Sequence, residues 1–262
     1  MIGKFSILGK YFISTRLKSK GNKVAFLLFY LFPIIFLTYS YSTNFTSDFF
    51  QVLTLIALTY SVYEFGYLYN DTITIQKEVE PTLRLNQIEI SFFKENIIQI
   101  LSIRLITFVT LVMLSLYLVI DIVAFILLIL LFITFFIYNN VRNKLNLFLH
   151  FILVSLKYFI PIIPLFSGEK YLDLLFVLML YPILNTLERA TEKRFSYISP
   201  DFFLVDYKNY GRIYYYSITL LLTTSYWYIF DREVFSFVII FSTMLIARIT
   251  AQIIVKHRRH YE

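Results

Sequence analysis

The chain has no cysteine, one tryptophan, three histidines and only six glycines and six prolines in 262 residues. Without thiols it can form no disulfide, cysteine nucleophile or cysteine-ligated metal centre. The histidines are His150, His257 and His260, and none has a partner at zinc-site spacing. Charge is scarce as well: 16% of residues are charged, against roughly 25% in soluble domains. That leaves too little polar surface to cover a globule. What fills the chain instead is 58% hydrophobic residues, 29 Phe and 22 Tyr among them.

These residues are gathered into long runs. A helix needs roughly 17–25 apolar residues to cross a bilayer. Val24–Tyr41, Phe50–Tyr69, Ile97–Ile120, Ile122–Tyr138, Leu145–Phe166, Tyr171–Leu187, Ile213–Phe230 and Val234–Val255 qualify. Runs such as Val123–Ile137 do not alternate apolar with polar as barrel strands do, so helices are expected. The fold class is all-α: a polytopic transmembrane bundle of about eight spans, with residues 1–262 forming one membrane-embedded domain. The basic segment 1–23 precedes the first run without a small-residue cleavage site, and reads as a cytoplasmic arm rather than a signal peptide.

Charge placement orients the bundle. If the N-terminus is inside, the arm, the connections after spans two, four and six, and the C-terminal tail carry 19 of the 24 lysines and arginines. The other face carries Lys170 and Arg232, while Arg104, Lys157 and Arg248 fall inside spans. The asymmetry predicts both termini in the cytoplasm. It also accounts for the net charge of +7 without nucleic acid, because the basic residues are spread over short segments rather than one stripe.

Two inner connections, 70–96 and 188–212, are long, and both open on acidic and amide residues. In the first, Asn70, Asp71, Thr74 and Glu78 share a face if span two continues as helix. Such oxygens suit a hard cation beside a phosphorylated substrate, although a solvated, capped helix end weighs about equally. In the second, Asn185, Glu188 and Glu192 repeat at helical spacing, with Arg189 and Lys193 interleaved. An ordinary ion-pair face is the blander reading. Tyr138 and Arg142 end span four, where they could meet phosphate oxygens or simply belong to the membrane interface. Glu64 lies beneath Asp71 on the same helical face and is expected to line a cavity. Lys157 and Arg248 would snorkel or pair structurally, and His150 is expected to be a hydrogen-bonded interior side chain.

Taken in order, these residues resemble a family pattern. Asn70-Asp71-x-x-Thr74-x-x-x-Glu78 resembles the first acidic motif of the UbiA superfamily of intramembrane prenyltransferases. Pro81-Thr82-Leu83-Arg84-Leu85 with Ile90-Ser91 is similar to the segment that follows it there. Tyr138-x-x-x-Arg142 and Asn185-x-x-Glu188-x-x-x-Glu192 stand where the family has a Tyr-x-x-x-Lys/Arg element and a second acidic motif. The similarity spans roughly residues 20–215. It departs at Thr74 and Leu83-Arg84, in Glu78 for Asp, in the second motif's Asn and Glu for Asp, and in eight spans where nine are common.

The resemblance implies a central cavity in which Asp71, Glu78, Glu188 and Glu192 are catalytic and hold Mg²⁺ on a prenyl diphosphate. Asn70, Thr74, Arg84, Tyr138, Arg142, Asn185, Lys193 and Glu64 would bind substrate, and a hydrophobic or aromatic acceptor would capture the prenyl group. A bacterial inner membrane is the expected location. The alternatives are a terpene cyclase of the same fold and a non-enzymatic membrane subunit such as a transporter permease.

Overall fold

The computed structural model describes residues 1–77, 83–141, 143–166, 173–192, 195, 208–230 and 234–258. The protein is all-helical, with no strand among these residues. Two short helices, α1 (Ile2–Ser6) and α2 (Lys10–Arg16), precede a first rod made of α3 (Lys20–Phe26), a π turn (Leu27–Leu31) and α4 (Phe32–Tyr41). There follow α5 (Phe45–Thr72), the surface helix α6 (Gln87–Glu95), α7 (Ile97–Tyr117), α8 (Ile122–Asn140) and α9 (Leu145–Ile162). A pair, α10 (Leu174–Leu180) and α11 (Pro182–Ala190), leads to α12 (Lys208–Ile229) and α13 (Phe235–Arg258).

Among the described residues, helix is found in each of the eight runs expected to span. Six of the rods among the described residues are long and apolar enough to cross a membrane: Lys20–Tyr41, Phe45–Thr72, Ile97–Tyr117, Ile122–Asn140, Leu145–Leu165 and Phe235–Ile254. The α10–α11 pair falls short because Tyr181 and Pro182 break it, and α12 is the more polar rod, with Tyr, Thr and Ser along it. Local chemistry sets several starts. Ser19 and Asn44 cap α3 and α5, Asp121 accepts the Val123 N–H at 2.8 Å to begin α8, and Asn86 and Glu89 form a capping box on α6.

The rods alternate in direction. At one end Tyr41 of α4 donates to Asp173 before α10 (2.8 Å), and Gln51 of α5 donates to the Leu118 carbonyl after α7 (2.9 Å). At the other, Asn146 of α9 bonds the Tyr138 carbonyl of α8, and Arg212 of α12 pairs with Glu188 of α11.

Prolines inside the rods free backbone carbonyls, and in an apolar surrounding each freed carbonyl requires a donor. Here tyrosines supply them. Pro33 releases the Phe29 carbonyl, which accepts the Tyr158 hydroxyl at 2.6 Å. Pro161 releases the Lys157 carbonyl, which accepts the Tyr30 hydroxyl at 3.3 Å. The same two rods thus mend each other. At the Pro182 break, Tyr215 and Tyr216 of α12 donate to the Met179 and Leu180 carbonyls, both at 2.8 Å. Close packing of α5 on α8 depends on Gly66, where a Cβ would lie 2.4 Å from the Phe135 ring.

Of the segment 1–23, expected as a basic arm, residues 2–16 are folded against the bundle, while residues 18–23 are exposed. Phe5 and Tyr11 are completely buried and pack with Leu68, Leu85, Phe93 and Ile100. The arm's lysines obscure an apolar set (Ile2, Phe5, Tyr11, Phe12) that gives it a face to bury.

Candidate functional site: an arginine-ringed cavity beside a carboxylate cluster

Span α5 carries two buried carboxylates, and both receive the N-terminal segment. Glu64 accepts the Phe12 N–H at 2.7 Å and the Gly9 N–H at 3.0 Å. It therefore caps α2 from another helix, satisfying donors that a helix start leaves open. Its charge is balanced by Arg104 of α7 at 3.2 Å, whose Nε donates to the Phe5 carbonyl. Asp71, 1% exposed, accepts the Tyr11 hydroxyl at 2.7 Å and pairs with Arg16 at 3.0 Å and Arg84 at 3.4 Å. On the surface, Lys4 of α1 pairs with Glu89 of α6. Partial burial works to raise the Glu89 carboxyl, but the Lys4 ammonium and the Asn86 N–H outweigh it and hold the group below its ordinary value.

Next to this cluster, at the end of the bundle where α5, α8 and α11 finish, lies a cavity of about 680 Å³. Its lining includes Arg16, Arg84, Lys157, Arg189, Arg212 and Arg248 and, among the described residues, no carboxylate. The pairings differ among these cations. Arg16 and Arg84 share Asp71, and Arg212 forks onto Glu188 through Nε (2.5 Å) and Nη2 (2.9 Å). Arg189 instead bonds the Tyr138 hydroxyl at 2.7 Å and His150 Nδ1 at 3.0 Å. The other ring nitrogen, Nε2, lies 3.2 Å from the Asn185 side-chain amide, so His150 is held between Arg189 and Asn185. Arg248 lies over the Phe29 ring at 3.8 Å. Lys157 stands among five rings: Tyr30 at 4.4 Å, Tyr60 at 5.2 Å, Tyr63 at 5.7 Å, Phe12 at 5.8 Å and Phe26 at 5.9 Å. The result is a cationic mouth over an aromatic floor.

Of the residues expected from sequence, Asn70, Arg84, Tyr138 and Asn185 line this cavity. Glu64 was expected there, but it is spent on the other side of α5 as the cap of α2. Asp71 and Glu188 stand behind the lining, each holding arginines that belong to it. Thr74 donates to Asn70 Oδ1 at 2.9 Å, and neither it nor Glu192 is in the lining. Glu78, Arg142 and Lys193 lie outside the described residues. His150 is hydrogen-bonded, as expected, and it also faces the cavity.

Sequence reasoning missed Arg16, Lys157, Arg189, Arg212 and Arg248 as site residues. A signal was present. The spans contain Arg104, Lys157 and Arg248 but only Glu64 and, near the end of its span, Asp173 as acids, so the intramembrane cations outnumbered their counter-charges within the spans.

The expected Mg²⁺ would need carboxylate oxygens free to face it. Among the described residues no three His, Asp or Glu side chains converge as a metal site. Both described motif carboxylates that flank the cavity, Asp71 and Glu188, point their oxygens at arginines. The described donor set does not fit a resident Mg²⁺. Comparison with protein-family models, with curated proteins and with solved structures returned no match.

Proposed function

We propose that the chain is a UbiA-like intramembrane prenyltransferase, which takes a prenyl diphosphate into this cavity and passes the prenyl group to an aromatic or lipid acceptor. The observation that carries this reading is the arginine mouth above an aromatic floor in one cavity. It matches an amphiphile with an anionic head and an unsaturated tail. A volume near 680 Å³ lies within the usual range for small-molecule sites, about 300–1,000 Å³. In this reading all eight helical passes span the bilayer, and the arginine end faces the cytoplasm.

The side chains suit the chemistry. As the allylic C–O bond breaks, its electron pair leaves with the diphosphate, whose charge Arg189, Arg212 and Arg248 would neutralise. The allylic cation left behind would face rings such as Tyr63 and Tyr30, whose π faces favour positive charge. Attack by the acceptor forms the new bond, and the proton it sheds passes to the departing diphosphate. Purified protein given labelled geranyl, farnesyl or geranylgeranyl diphosphate with lipid extract is expected to form a prenylated product and release diphosphate. Failure to consume any of the three would remove the transferase assignment. Hydrocarbon released without acceptor would mark a cyclase instead.

A non-enzymatic membrane subunit is the second reading. It is favoured by the arginine pairing of both Asp71 and Glu188, which leaves neither carboxylate free for chemistry. Stoichiometric binding without turnover would support it.

A further inference from the structure

We infer that the diphosphate is held directly by arginine, with no bridging divalent cation; this rests on the prenyl diphosphate reading above. The donor set of the cavity is the first ground. Its cations come from α2, the segment before α6, α9, α11, α12 and α13, and the two carboxylates nearby are engaged by three of them. Among the described residues, Lys157, Arg189 and Arg248 have no acidic partner. Two of these are guanidiniums, whose planar forks match phosphate oxygens.

Unmet donors are the second ground. Arg16 Nη1, Arg189 Nε and Arg248 Nε are buried nitrogens without a hydrogen-bond acceptor, and all three side chains line the cavity. A buried charged donor left without an acceptor is costly. Three of them belong to the lining of one cavity, where an anion rich in oxygens would supply the acceptors, and a fourth, Arg104 Nη2, lies outside that lining. A magnesium–diphosphate complex needs the reverse, carboxylate oxygens free to face the metal. Among the described residues, Asp71 and Glu188 already neutralise arginines, so a metal bound to either would have to displace Arg16, Arg84 or Arg212 first.

The test is equilibrium binding of farnesyl S-thiolodiphosphate, which resists ionisation, to the full-length protein in phosphatidylcholine nanodiscs. Titrations run with EDTA and with Mg²⁺. The expected affinities agree within about threefold, and Arg189→Ala weakens binding by about tenfold or more. Arg189→Lys, which keeps the charge but not the fork, should recover only part of the loss. Binding that appears only with Mg²⁺ would overturn the direct-arginine assignment and leave the substrate class standing. Absence of binding in both buffers would overturn both. Nanodiscs containing phosphatidylglycerol separate the sources of phosphate: loss of probe binding there would assign the site to a bilayer headgroup and overturn the prenyl diphosphate. Unchanged binding there supports the proposal.

Discussion

The cluster around Glu64 and the cavity beside it are made from similar residues, yet they balance charge differently. In the cluster, Glu64 meets Arg104 and two backbone N–H groups, and Asp71 meets Arg16, Arg84 and Tyr11. Few acceptors are left over. In the cavity, Lys157, Arg189 and Arg248 face the open space with aromatic or neutral partners. A buried pair holds a structure together, because removing either member strands the other. An unpaired cation in a cavity stabilises the empty protein little, and it gains its partner when an anion enters. Arg16 belongs to both regions: it pins α2 to Asp71 while leaving Nη1 without an acceptor.

The sharpest way to break this contrast is in the cluster. Glu64→Ala should cost about 3–5 kcal/mol, since it leaves Arg104 buried and uncompensated and uncaps α2. Thermal unfolding in detergent would check it, and a shift no larger than that of a surface variant would remove the structural role. Gly66→Ala comes next, at about 1–3 kcal/mol, because its Cβ would run into the buried Phe135 ring where α5 meets α8. Tyr158→Phe should cost about 1 kcal/mol by stranding the Phe29 carbonyl that Pro33 released. If that loss disappears when Pro33 is also replaced by Ala, the pairing of proline with hydroxyl is established. The smallest effect is a pH dependence at the rim. The Glu89 carboxyl is held below its ordinary value, so the stability it lends is present above that ordinary value. It is lost as pH falls through the lowered one. Hydrogen exchange in α1 should rise on acidification below the usual carboxylate range, and Glu89→Gln should abolish that rise.

Much of the architecture was legible in the sequence. The apolar runs marked every rod, since the length of a span is fixed by the bilayer and needs no tertiary information. The amides and the phenol at the ends of α5, α8 and α11 were also legible, and Asn70, Tyr138 and Asn185 meet at one cavity. Pairing was not. Glu64 meets the backbone of residues 9 and 12, more than fifty positions away, and no local spacing encodes such a contact. For the same reason Asp71 reads as a metal ligand by motif, while in space it gathers arginines from two separate segments. The folded N-terminus was hidden by its lysines, which suggest a solvated arm although Phe5 and Tyr11 are fully buried.

The central claim is that the cluster's cations serve the fold and the cavity's cations serve an anion. Thermal unfolding of Arg104→Gln and Arg248→Gln, each with and without farnesyl S-thiolodiphosphate, tests it most directly. Arg104→Gln should melt well below the parent protein. Arg248→Gln should melt at or above the parent temperature when empty, yet lose most of the stabilisation that the diphosphate confers. Equal destabilisation of both empty variants, with the diphosphate effect intact in Arg248→Gln, would contradict the account.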